Sequence, residues 1–143
     1  MNLQITIDTA DPHRLAAFYQ GAGIGYSAED HTAAVEQLAA QGLIGPDEIV
    51  RLGERQGFTA TAACSDPTGR LPRLHFQRVD EPKTGKNRLH LDLQFPGDAD
   101  ARDDLVDRLL ELGAREIGQG SQGPAHHWVI VADPEGNELC VSN

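Results

Sequence analysis

Leu3, Ile5 and Ile7 alternate with Gln4, Thr6 and Asp8 at the start of the chain, the period-two pattern of a strand buried on one face. Asp11-Pro12 then predicts a helix start. The aspartate side chain caps a free backbone N–H, and proline in the first turn lacks only an N–H that has no helical partner. Leu15, Phe18 and Ala22 give this helix an apolar face, and Gly21, Gly23 and Gly25 close it. The second half repeats the theme. Leu89, Leu91 and Leu93 alternate with His90 and Asp92, and a helix starting near Asp98 or Asp100 carries Leu105, Leu109 and Leu112 inward before Gly113 stops it. Each half closes on Asp-Pro-x-Gly, at Asp66–Gly69 and at Asp133–Gly136, followed by a short strand.

Between these landmarks the pattern predicts further strands at Phe58–Cys64, Arg73–Val79, around Ile117, at Trp128–Val131 and at Glu138–Val141, with Gly118, Gly120 and Gly123 in a flexible loop. Gln4 and His90 lie 86 positions apart but Asp66 and Asp133 only 67, so the first unit is about 19 residues longer. The excess matches an inserted helix pair. Val35, Leu38 and Ala39 have helical spacing, and Gly45-Pro46-Asp47 restarts a short helix through Ile49 and Val50. The order strand, helix, three strands occurs twice. The expected fold is therefore α+β, two βαβββ modules whose helices cover one sheet face and whose other faces enclose a cradle. Module one is expected at 1–80 with a helical insertion at about 30–56, a linker at 81–87, and module two at 88–143.

Composition narrows the function. At 143 residues the chain is long enough for a buried core, and with 39% hydrophobic and 24% charged residues it reads as a globular domain. A formal net charge of −10 argues against nucleic acid as a partner and mildly favours cationic or neutral ligands. No apolar run has the length of a membrane span and no signal peptide is evident, so a cytoplasmic location and no membrane partner are expected. Cys64 and Cys140 suggest no disulfide framework. Gly-x-Ser-x-Gly, Cys-x-x-Cys, His-Glu-x-x-His and phosphate-loop patterns are all absent.

The run from Leu74 to Leu93, the run from Ala132 to Val141, Leu112-Gly113-Ala114 and the helix ending in Phe18-Tyr19 resemble the vicinal-oxygen-chelate superfamily, in its glyoxalase-like branch. The resemblance implies a cradle in which opening and closing strands of both modules offer metal ligands. Carried over by position, the opening strands offer Gln4 and His90. The closing strands offer His75 or Gln77 in module one and Glu138 or Cys140 in module two. The implied set is Gln4, Gln77, His90 and Cys140 around a divalent zinc, nickel, manganese or iron ion. Glu138 is the implied catalytic proton carrier, and His75, Asp92 and Trp128 the implied ligand-lining residues. The resemblance also implies a homodimer.

Simpler readings stand beside these. His90 and Asp92 form either a metal ligand with an acid–base partner or a buried polar pair. Cys140 and Cys64 suit small buried hydrophobes, Trp128 suits core packing, and His126-His127 suits a surface or cap position. Arg78, Lys83, Lys86 and Arg88 either contact an anion at the cavity rim or form a solvated linker, and the linker is preferred. Two functions follow: metal-assisted lyase or isomerase chemistry on a small molecule, or metal-free sequestration of a ligand in the manner of bleomycin-resistance proteins.

Overall fold

The structure, a computed structural model, describes residues 2–143. Packing divides the chain into two compact units, Met1–Pro82 and Lys83–Asn143.

The first unit runs β1 (Gln4–Thr9), α1 (Pro12–Gly21), β2 (Ser27–Ala28), α2 (Thr32–Ala40), a 3-10 turn (Pro46–Glu48), β3 (Ile49–Leu52), β4 (Arg55–Phe58), β5 (Thr61–Ser65) and β6 (Arg73–Arg78). Its sheet has the order β1-β6-β5-β4-β3, with β2 also on β5, and β1 runs parallel to β6. Asp11 caps α1 by accepting from the Arg14 N–H at 3.0 Å, a contact that contributes about 1 kcal/mol. The helix buries Leu15, Phe18 and Tyr19 against the sheet's Leu74, Phe76, Ala62 and Cys64. Tyr19 stacks on Phe76 with ring centroids 5.5 Å apart and meets Phe18 edge-on at 5.3 Å. This packing fixes which sheet face is left open.

The insertion differs from its expected form. It holds one α-helix. The restart at Gly45-Pro46 is real, since the Glu48 side chain accepts from the Gly45 N–H at 2.9 Å, but it lasts a single 3-10 turn. Ile49 and Val50 then enter a strand instead of continuing the helix. Their β-branched side chains favour the extended chain, and Gly53, at φ +67°, makes the two-residue turn that pairs Leu52 with Arg55. The strand expected at Phe58–Cys64 is broken at Thr59-Ala60 into β4 and β5.

The second unit runs β7 (Leu91–Gln94), α3 (Ala99–Glu111), β8 (Arg115–Gln122), β9 (His126–Ala132) and β10 (Glu138–Ser142), with sheet order β7-β10-β9-β8 and β7 parallel to β10. Asp98 caps α3 through the Ala101 N–H at 2.9 Å. The helix buries Leu105, Val106 and Leu109. Leu112, expected to point inward, instead forms the C-cap and is 37% exposed, and Val106 takes the inward place. Gly118 and Gly120 lie within β8, not in a loop, leaving Gly123 (φ +69°) in the turn.

The two Asp-Pro-x-Gly turns share one device. Asp66 accepts from the N–H groups of Thr68, Arg70 and Leu71, and Asp133 from those of Glu135 and Asn137. Gly69 and Gly136, at φ +70° and +88°, occupy the left-handed position that a side chain would strain. The α+β class expected from the sequence is the class found, with helices and mixed sheets in both units.

Candidate functional site

In the first unit, the β1–β6 register sets Gln4 beside Arg73, Thr6 beside His75 and Asp8 beside Gln77, so these six share the sheet face away from α1. The face is dominated by an ion-pair network. Arg73 grips Glu29 through Nε–Oε1 and Nη2–Oε2 contacts of 2.7 Å each, and its Nη1 donates to Gln4 Oε1 at 2.6 Å. Ser65 donates to Glu29, and His31 Nε2 lies 3.2 Å from the same carboxylate. This bidentate geometry is strong for its size.

Glu29 is held down to about 2 by the Arg73 hydrogen bonds, against the opposing effect of burial. Its folded pKa lies below the ordinary 4.5, so its stabilisation is complete above that pH and is lost as the pH falls toward 2. Acid titration followed by circular dichroism should show this loss, with a smaller drop between pH 4.5 and 2 in Glu29→Gln. An unchanged drop would remove the network from the acid response.

The implied donors of this unit do not gather. Gln4 Oε1 already accepts from Arg73 Nη1. Gln77 is four residues further along the paired strands, about 13 Å at the usual strand rise. The buried Nδ1 of His75 has no hydrogen-bond partner among the described residues, and burial together with Arg73 lowers its pKa, keeping the ring neutral. Glu29 had no sequence signal. It lies 44 positions from Arg73, and only tertiary pairing joins them.

The second unit's open face carries a different character. Cys140 stands between Asp92 and Ile130, and Ser142 between Gln94 and Trp128. Across β9, Gly118 faces Ile130 and Gly120 faces Trp128. The indole lies directly on Gly120. A Cβ at that position would fall 2.5 Å from Trp128 Cζ2 and 2.6 Å from Cε2, so only glycine leaves room for the ring in this place. Trp128 is half-buried, not a core residue, and its ring sits 5.6 Å from that of His126.

A cleft of about 650 Å³ opens over this face. Ile117, Trp128, Ile130 and Cys140 form its apolar side, and Lys83, Lys86, His90 and Glu138 its polar rim. That volume falls within the range of small-molecule pockets. The stretch preferred as a solvated linker is thus drawn onto the cleft. Glu138, 11% exposed, accepts from the Asn87 N–H at 2.8 Å and lies 3.3 Å from Lys83 Nζ, which also donates to Gly85 O at 2.6 Å. Burial pushes the Glu138 pKa up, but the Asn87 N–H and the lysines outweigh it and leave the pKa lowered. Glu138 is therefore a fixed anion that anchors the lysine-bearing segment.

His90 lies one residue before β7, with Nδ1 2.6 Å from Asp92 Oδ1. Their side chains are 46% and 45% exposed, so the buried-pair reading does not hold. Burial and the Asp92 charge raise the Cys140 thiol, keeping it protonated. Burial likewise pushes Cys64 up to about 12. His126 and His127 bond to the carbonyls of Asn143 and Pro124 at exposed positions. The metal that the resemblance implies finds no ready cage within either unit. Among the described residues no three His, Cys, Asp or Glu side chains come together in a metal-binding group, and Gln4 and Glu138 are already paired with cations.

Residues 4–142 match the family model of the glyoxalase-like domain. The chain belongs to the glyoxalase-like domain family. It is similar to a glyoxalase/bleomycin resistance/dioxygenase family enzyme from Burkholderia phytofirmans PsJN at 16% identity and a TM-score of 0.64, over 98% of this chain and 95% of that one. A lactoylglutathione lyase from Agrobacterium tumefaciens matches at 13% identity and 0.54, over 99% and 92%. A fosfomycin resistance protein from Mesorhizobium loti matches at 10% and 0.58, over 98% and 86%. At these identities the likeness is one of fold. No curated protein matches the glyoxalase-like chain in sequence. None of its described helices is long and apolar enough to cross a membrane.

Proposed function

We propose that this glyoxalase-like domain binds a small molecule without a metal, stacking a flat part of the ligand on Trp128 in the second unit's cleft. The observation that carries this reading is the seat of the indole on Gly120, where an aromatic face borders a cleft of ligand size. Aromatic rings give large contact area with few freedoms to lose. The fosfomycin resistance protein and the bleomycin-resistance grouping among the structural relatives make sequestration of a foreign or metabolic small molecule the role to test first. Lyase or isomerase chemistry is the less supported reading. The proton carrier it needs, Glu138, is held as an anion by Asn87 and Lys83, and a base with a lowered pKa is a weak one.

The chain has a single tryptophan, so its fluorescence reports on this cleft alone. Titration with a library of aromatic small molecules in excess chelator is expected to give saturable changes in Trp128 emission, accompanied by a rise in Tm. A ligand present at one hundred times its Kd stabilises by about 2.7 kcal/mol. Trp128→Ala should abolish that rise. Stabilisation that appears only with added zinc, nickel or manganese, and survives Trp128→Ala, would contradict the proposal.

A further inference from the structure

The sign of charge at the cleft opposes that of the chain. The protein carries a net charge of −10, yet the eight positions from Lys83 to His90 hold three of its twelve Lys and Arg residues and no acidic one. Two of the three, Lys83 and Lys86, line the cleft. The carboxylates of Glu138 and Asp92 on this face are occupied: Glu138 by the Asn87 N–H and Lys83, Asp92 by His90. Lys86 is exposed and, among the described residues, takes part in no ion pair. Its charge does act on Glu138, which places the ammonium near the rim. The result is an apolar, aromatic floor with a rim cation, Lys86, that is held in no ion pair among the described residues.

We infer that the cleft selects planar aromatic ligands bearing a single carboxylate, the ring lying on Trp128 and the carboxylate meeting Lys86. The inference rests on the Trp128 binding reading. One ammonium on an apolar cleft matches one negative charge. A phosphate ester would call for a fork of guanidinium donors or a nest of backbone N–H groups, and the nearby Asn87 N–H is already taken by Glu138. A cationic ligand would meet the Lys86 ammonium at the rim, so like-charge repulsion disfavours it. This reverses the mild preference for cationic or neutral ligands that the overall acidity suggests, because Glu138 pins the basic segment at the cleft.

The test is isothermal titration of the full chain with naphthoate, naphthylmethylammonium and naphthylmethanol of the same ring attachment. Naphthoate is expected to bind at least about tenfold tighter than the ammonium, with the alcohol between them. Lys86→Gln should weaken naphthoate about fivefold and leave the alcohol unchanged, and Lys86→Arg should restore naphthoate. Lys86 is an exposed linker residue, and an unchanged melting curve checks that the variants fold. Equal binding of all three probes, or tighter binding of the ammonium, overturns the carboxylate preference while leaving the Trp128 reading intact. Failure of all three to bind or to perturb Trp128 emission overturns both. Loss of affinity for naphthoate and the alcohol alike in Lys86→Gln also overturns the charge-reading role.

Discussion

Replacing Gly120 by valine is expected to expel the Trp128 indole and cut ligand affinity by about thirtyfold or more, the effect of losing a central aromatic contact. The cause is steric. Even a bare Cβ at position 120 falls within 2.9 Å of three indole ring atoms, and valine adds two methyl groups. Gly120 does not have a positive φ and lies in a strand, so the backbone accepts valine and the strain falls on the ring. Overpacking of this kind costs about 1–3 kcal/mol, which leaves the unit folded for measurement. The assay is a naphthoate titration beside the emission spectrum of the sole tryptophan, which should shift to the red as the ring enters water. Wild-type affinity in Gly120→Val would mean that the seated indole plays no part in binding.

The second large effect concerns the core that holds the first unit's open face in position. Phe76→Ala is expected to destabilise the protein by about 3–5 kcal/mol, the usual range for a fully buried aromatic residue. Phe76 is fully buried and stacks on Tyr19, which is itself 1% exposed. Its removal leaves a cavity beneath α1. The same strand carries Arg73 and His75 on its other face, so loss of Phe76 should also loosen the Arg73–Glu29 clamp. Urea denaturation measures the cost. A loss below about 1 kcal/mol would indicate that α1 collapses into the space with little penalty.

Much of the framework was legible in the chain because it is locally encoded. The alternations at Leu3–Asp8 and Leu89–Leu93, the caps Asp11 and Asp98, and the two Asp-Pro-x-Gly turns each express a rule that acts within a few residues. The hairpin from Ile49 to Phe58 was less legible. Its helical start is a true local signal that ends after one turn, where β-branched residues and the Gly53 turn take over. Gly118 and Gly120 misled for a related reason. Glycines commonly mark loops, yet here both are strand residues paired with β9, and the missing side chain of Gly120 makes room for Trp128. Nothing local distinguishes the two cases.

The candidate site shows the same division. Residue types such as Gln4, His75, His90 and Glu138 could be marked in the sequence, but not what would already hold them. Arg73 takes the oxygen of Gln4, and Asn87 with Lys83 takes Glu138, and both partnerships are tertiary. Lys83 and Lys86 read as linker because their segment is polar and irregular. Their position at a cleft follows from tertiary contacts of Glu138, which accepts from the Asn87 N–H and pairs with Lys83.

The most direct measurement is a proton–nitrogen correlation spectrum of the labelled protein during titration with naphthoate. Ligand seated on Trp128 should shift the Trp128 indole N–H together with the amides of Gly118, Gly120, Lys86 and Cys140, and leave those of Glu29 and His31 in place. Shifts confined to the Glu29–His31 region, or an unmoved indole N–H at saturation, would contradict the assignment of ligand binding to the Trp128 cleft.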